Sequence, residues 1–103
     1  MAPPKLTDEQ RRAALAKAAE ARRVRAEIKE LLKTGSLTLT EVLERAETDD
    51  IVAGTKIAAI LVSMPGLGKV KAKRLMEEHR ISDRRRIRGL GSRQRQVLLD
   101  LFS

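Results

Sequence analysis

The sequence predicts an all-α fold. Three observations carry that expectation: apolar residues recur at three- and four-residue spacing along the chain, Thr, Asp and Ser stand where helices would begin, and Gly or Pro stands where they would end. No segment alternates apolar and polar residues long enough to demand a strand. The 103 residues amount to one domain, with chain enough for one modest core.

The elements follow in order. Thr7-Asp8-Glu9-Gln10 has the form of a capping box, and helical periodicity then continues to Lys33, where Gly35 ends it. That is a helix of about 26 residues, near 40 Å long. Ala14, Ala21, Val24, Ile28, Leu31 and Leu32 form one stripe, while Arg11, Arg22, Lys29 and Lys33 share an arc on the other side. Before Val24 the one bulky apolar residue is Leu15, so the first half is expected to protrude or to order only against a partner.

A second capping box, Thr38-Leu39-Thr40-Glu41, opens a short helix to about Glu47, with Leu39, Val42, Leu43 and Ala46 facing inward. Asp49-Asp50 caps the next turn. Thr55 is expected to cap a helix over 56–63 carrying Ile57, Ile60 and Leu61, which Pro65-Gly66-Leu67-Gly68 stops. A helix then starts at Lys69, with Ala72, Leu75, Met76 and His79 on one face. Ser82 caps a brief turn through Arg88, Gly89-Leu90-Gly91 breaks it, and Ser92 is expected to cap a last helix burying Val97, Leu98, Leu101 and Phe102.

Charge narrows the function. Lys and Arg number 22 against 14 Asp and Glu, a net +8, and the balance is segregated: +4 over 1–34, −3 over 35–64 and +7 over 65–103. Clustered cations are the electrostatic footprint of a polyanion partner. With Phe102 as the sole aromatic residue, there is no platform for stacking single-stranded bases. The absence of cysteine removes thiol catalysis, disulfides and Cys-based metal sites, and neither a metal site nor a cofactor is expected. The longest apolar run, 57–62, is far short of a membrane span, and the opening Met-Ala-Pro-Pro-Lys-Leu-Thr has no apolar signal core, so a cytosolic protein is expected.

Two helix starts break a local rule. Helix N-termini favour carboxylates, yet one begins Lys69-Val70-Lys71-Ala72-Lys73 and another Ser92-Arg93-Gln94-Arg95. Each cation so placed costs a few tenths of a kcal/mol to about 1. A bound anion would offset this, because free amides at a helix start, reached past glycines and flanked by Lys and Arg, form a phosphate site. Between them lies Arg84-Arg85-Arg86-Ile87-Arg88, four arginines in five residues, whose planar forks suit phosphate and can enter a narrow minor groove. Replacing Arg85, Arg86 and Arg88 is expected to touch no core position.

The stretch Leu61-x-x-Met64-Pro65-Gly66-Leu67-Gly68-x-x-x-Ala72-x-x-Leu75 resembles the helix-hairpin-helix and its longer relative, the helix-two-turns-helix. That resemblance implies duplex binding without sequence preference, with the amides after Gly66 and Gly68 on a phosphate and Lys69 close by. Laying Gly89-Leu90-Gly91 over Gly66-Leu67-Gly68 matches Leu98 to Leu75 and Leu99 to Met76, as a degenerate second hairpin would. Over nearly the whole chain, Leu6-Thr7-Asp8-Glu9-Gln10-Arg11, Ala21-Arg22-Arg23, the Pro65-to-Val70 hairpin and above all Arg85-Arg86-Ile87-Arg88-Gly89-Leu90-Gly91 look like the actinobacterial integration host factor family. The segment 49–55 departs from it by lacking the Lys-Met-Lys expected there.

This resemblance implies a long basic N-terminal helix, 1–34, packed on a small helical DNA-binding body, 35–103, as one domain with a helix-two-turns-helix. It implies binding and bending of double-stranded DNA, compaction of the nucleoid, altered DNA topology and support of recombination. Partners implied are duplex DNA and, beyond it, a second copy on DNA or a recombinase or topoisomerase. The expected contacts are Arg22 and Arg23 on the long helix, Gly66, Leu67, Gly68, Lys69, Val70, Lys71 and Lys73 at the hairpin, and Arg85, Arg86 and Arg88. Gly89, Gly91, Ser92, Arg93 and Arg95 complete them.

Four rival readings use the same residues. An enzyme would need a catalytic group, but His79 suits a core or helix-end imidazole, and Asp49-Asp50 and Glu77-Glu78 read as a cap and a solvated face, since adjacent helical carboxylates diverge by about 100°. No small-molecule substrate is expected. An RNA- or ribosome-binding protein is the strongest rival, because a related hairpin occurs in a ribosomal protein. A protein-interaction module acting through the long helix is a third. A membrane surface is the weakest, because the long helix has no Trp or Phe on its apolar stripe.

Overall fold

The computed structural model describes residues 6–102, so the reading of the first five residues as free of a signal core lies outside the described residues. Six α-helices follow one another: α1 (Asp8–Lys33), α2 (Leu39–Arg45), α3 (Asp50–Ala53), α4 (Ile57–Ser63), α5 (Gly68–Glu78) and α6 (Ser92–Phe102), with a 3-10 turn at Ile87–Gly89. Among the described residues the extended structure is one isolated antiparallel bridge, Lys56 with Arg86. No helix among them is long and apolar enough to cross a membrane.

Both capping boxes form as the sequence predicts. Thr7 Oγ1 accepts from the Gln10 amide at 3.0 Å while Gln10 Oε1 accepts from the Thr7 amide at 2.9 Å, and Thr38 with Glu41 repeats the exchange at 3.1 Å each way. Asp49 caps α3 by accepting from the Ile51 and Val52 amides at 2.9 and 3.3 Å. Two expected caps differ. Thr55 instead donates its hydroxyl to the Ile51 carbonyl at 2.9 Å, closing the preceding turn, and Lys56 is the N-cap of α4 without a side-chain bond. At α6 the work is done by Gln94, whose Oε1 accepts from the Gly91 amide at 3.0 Å, so Ser92 lies inside the helix.

The core joins every helix. Ile28 and Leu32 of α1 meet Leu39, Val42 and Leu43 of α2, Val52 of α3, Ile57, Ile60 and Leu61 of α4, Ala72 and Met76 of α5, and Leu98 of α6. α1 rests on α3 and α4, α4 packs against α5, and α6 returns to α2. Burying each large aliphatic side chain contributes about 1.5–3 kcal/mol, which orders a chain this short. α1 contributes only its second half: every residue from Leu6 to Glu20 is exposed, and the molecule is 48 Å long but 25 Å thin. Leu101, expected inside, is 51% exposed, because the last turn of α6 turns Leu98, Leu99 and Phe102 toward the core and Leu101 away from it.

α5 ends in a Schellman motif. The Ile81 amide donates to the Met76 carbonyl at 2.8 Å and the Arg80 amide to the Glu77 carbonyl at 3.3 Å, with Arg80 at φ 54° and Ile81 and Met76 both buried. Gln94 Nε2 donates to the Arg80 carbonyl at 3.0 Å, so this turn also fixes where α6 begins. Of the two placements the sequence leaves open for His79, core or helix end, the structure has the helix end, with His79 as C-cap of α5.

Candidate nucleic-acid interface

The connection from α4 to α5 is built by its proline and glycines. Met64 is extended, as a residue before proline must be, and Gly66 and Gly68 then take φ of 77° and 69°, a region that costs any residue with a Cβ about 1–2 kcal/mol. An added Cβ at either glycine would meet nothing within 4 Å. The backbone conformation requires glycine there, and both positions face open space.

α5 therefore starts with its positive pole bare. Its N-cap, Leu67, makes no side-chain cap bond, and its first turn holds no acidic residue. The first amides of any helix lack intrahelical acceptors, so donors point outward here with exposed Lys69, Lys71 and Lys73 around them. Lys71 Nζ reaches the Gly66 carbonyl at 3.5 Å. Val70 is 74% exposed, the most exposed large apolar side chain among the described residues, while Leu67 is half-buried and anchors the turn.

The arginine segment is held as a rigid ledge. The Ile57 amide donates to the Arg85 carbonyl at 3.0 Å and the Ile87 amide to the Thr55 carbonyl at 2.9 Å, pinning 85–87 alongside 55–57. Side chains alternate across this bridge: Ile87 is buried at 3%, whereas Arg86 and Arg88 on either side are exposed. Arg85 Nη1 donates to the Gly89 carbonyl at 2.8 Å. Arg84, Arg85, Arg86 and Arg88, with Ser82 and Gly89, line a shallow groove that contains no carboxylate.

Three sequence expectations change here. Arg86 is not free: its guanidinium donates to the carbonyl of buried Gly54, 32 residues away, so it is part of the fold as well as of the surface. Arg95 pairs with Glu47 at 3.1 Å and reaches the Leu43 carbonyl at 3.4 Å, tying α6 to α2 and withdrawing its charge from an outside anion. The segment 89–91 does not repeat the first hairpin. The glycines of positive φ among the described residues are Gly35, Gly66 and Gly68, and the Gly91 amide is already taken by Gln94. Arg93 and Ser92 remain exposed, as do Arg22 and Arg23 on α1. Arg95 with Glu47 is the one ion pair among the described residues, so the other described cations have no described carboxylate within ion-pair distance. Among these residues no group of three or more His, Asp or Glu side chains is placed to hold a metal ion.

This hairpin, with two left-handed glycines between α4 and α5 on a body closed by α6, defines the helix-two-turns-helix class. The family model described as S13-like H2TH domain matches residues 32–102, from the end of α1 to the end of α6. Curated relatives agree along the rest. The chain is 55% identical over 102 residues to a protein named Integration host factor from Mycobacterium tuberculosis, covering 99% of this chain and 97% of the relative. It is 53% identical to the protein of that name from Streptomyces coelicolor, covering 91% and 88%. A solved structure described as "Structure of sIHF bound to an 8bp palindromic DNA" superimposes with a TM-score of 0.81 at 46% identity, over 85% of this chain and 99% of that one. The chain belongs to the family of these integration host factors, and its residues 32–102 form an S13-like H2TH domain.

Proposed function

We propose that this protein binds double-stranded DNA without strong sequence preference and bends it, acting as a nucleoid-associated architectural protein. The observation that carries this reading is the start of α5: an uncapped helix pole behind two positive-φ glycines, without a carboxylate in its first turn and ringed by Lys69, Lys71 and Lys73. Backbone amides in such a turn grip phosphate, which every sequence presents alike. The ledge of Arg84, Arg85, Arg86 and Arg88 adds cations on a backbone fixed by two hydrogen bonds, and Arg22, Arg23 and Arg93 add exposed ones. The relative solved with an 8bp palindromic DNA supports the same partner.

The chemistry on this surface is recognition, not turnover. His79 ends a helix, Asp49 is occupied as a cap, and the basic surfaces offer donors and charge. The protein accordingly works on the chromosome in the cytoplasm, where many weakly selective contacts compact DNA and change its topology. We further read 1–34 and 35–103 as one cooperative domain, because Ile28 and Leu32 lie inside the body's core. The test is competition at equal salt among a random DNA duplex, single-stranded DNA and an A-form RNA duplex of the same length. The reading expects the DNA duplex to win and a permuted sequence to bind alike. Preferential binding of the RNA would overturn it in favour of an RNA-associated role.

A further inference from the structure

Arg25 lies on α1 one turn before core residue Ile28 and looks, in the sequence, like one more solvated cation. The fold treats it differently. It is half-buried, and its Nε is shielded from water without a hydrogen-bond acceptor. Its Nη2 lies 3.7 Å from the point a Cβ on Gly54 would occupy, and Arg88 Nη1 lies 3.8 Å from the same point. The two guanidinium nitrogens are therefore no more than about 7.5 Å apart. Arg86 also donates to the Gly54 carbonyl. Three arginines from two segments distant in the chain thus meet at one buried glycine, and none has a described carboxylate within ion-pair distance.

Like charges gathered without a counter-ion, one of them partly desolvated, oppose folding unless something outside neutralises them. The spacing is short enough for that to be a single phosphate. Charge-assisted N–H···O bonds are about 2.8 Å, and two oxygens of one phosphate are roughly 2.5 Å apart, so two nitrogens that share a phosphate sit at most about 8 Å apart, a limit that this pair meets. The absent side chain at Gly54 lets both forks come within 4 Å of the place a Cβ would take. An added Cβ there would stand 3.2 Å from the Asp50 carbonyl oxygen and within 4 Å of both guanidinium groups.

We propose that Arg25 and Arg88, over Gly54, form a single seat for one phosphodiester of the duplex, and that this shared phosphate locks the long helix to the arginine ledge. The proposal rests on the duplex-binding reading above and adds a contact from α1. Arg22, one turn earlier on α1 and exposed, then continues the line toward the protruding half of the helix. Seating the phosphate orients that half, whose residues from Leu6 to Glu20 are all exposed, relative to the DNA.

The experiment measures binding to a random duplex across a salt series for the wild-type chain, Arg25→Gln, Arg88→Gln and the double variant, with melting of each chain without DNA. Each single change is expected to weaken binding roughly tenfold or more, as loss of a charge-assisted bond does. Because one phosphate is shared, the double variant should lose less than the product of the two single effects, and its salt slope should shrink by about 0.9 rather than 1.8. Melting of Arg25→Gln should be unchanged or raised, since a like charge is removed. Multiplicative effects with a slope change near 1.8 would assign the two arginines to separate phosphates and overturn the seat, as would wild-type binding by Arg25→Gln. If Arg25→Gln fails to fold, Arg25→Lys keeps the stem and charge and loses the fork; it should still bind less tightly, and binding equal to wild type overturns the proposal. A wild-type chain that does not favour duplex DNA refutes the duplex reading itself, a result distinct from a wild type that binds while Arg25 is silent.

Discussion

Gly35 and Gly68 form a natural matched pair. Both have positive φ, 78° and 69°, and an added Cβ at either meets nothing within 4 Å, but Gly35 follows α1 while Gly68 opens α5. Gly35→Ala and Gly68→Ala should therefore carry the same backbone cost, about 1–2 kcal/mol each, since neither methyl clashes with the fold. For a domain of this size, that lowers the melting temperature by roughly 4–16 °C. The two variants part company on DNA. At Gly68 the methyl stands in the open space through which a phosphate would reach the first amides of α5. Lost hydrogen bonds to a charged acceptor weaken binding by about 1.5–3 kcal/mol, roughly ten- to a hundredfold. Gly35→Ala should bind as wild type. The assay is fluorescence anisotropy with a labelled random duplex, at a temperature where circular dichroism shows all three chains folded. Lys69→Ala supplies the scale, because it removes one charge and leaves the amides. Equal weakening by the two alanine variants, or a larger loss from Lys69→Ala than from Gly68→Ala, would refute the backbone clamp.

Other consequences are checked by melting and binding. Arg86→Ala removes a charged donor from the buried Gly54 carbonyl and should cost about 1.5–3 kcal/mol of stability, whereas Arg84→Ala, whose side chain makes no hydrogen bond within the described protein, should melt as wild type. A chain lacking residues 1–19 should lose the far-ultraviolet signal of about three helical turns and melt within a degree or two of the full chain, because every described residue removed is exposed. Extending the deletion past Leu32 removes Ile28 and Leu32 from the core and should abolish cooperative melting. Glu47→Gln breaks a pair whose side chains are 32% and 65% exposed, so its stability cost should stay below about 1 kcal/mol.

What the sequence disclosed and what it hid divide by the range of the interaction. Thr7 with Gln10 and Thr38 with Glu41 are three residues apart, so their caps were legible as patterns. The break at Pro65-Gly66-Leu67-Gly68 was legible for the same reason. Thr55 misled because a threonine hydroxyl can serve the turn behind it as readily as the helix ahead, and Ser92 because Gln94 competes for the neighbouring amide. The charge pattern marked the arginine ledge but not the partners of its members. Arg95 meets Glu47 and Arg86 meets Gly54 across 48 and 32 residues, and no local spacing announces either contact. Arg25 was invisible for that reason too: only packing α1 against α3 brings its tip over Gly54.

The central claim is that an electrostatic surface of amides and unpaired cations grips duplex phosphates regardless of sequence. A salt titration of binding to a random duplex tests it most directly. If six to eight phosphates are engaged, log K should fall against log salt with a slope of roughly −5 to −7, and a permuted duplex should give the same line. A slope near zero, or a preference for one sequence of about a thousandfold or more, would contradict the account.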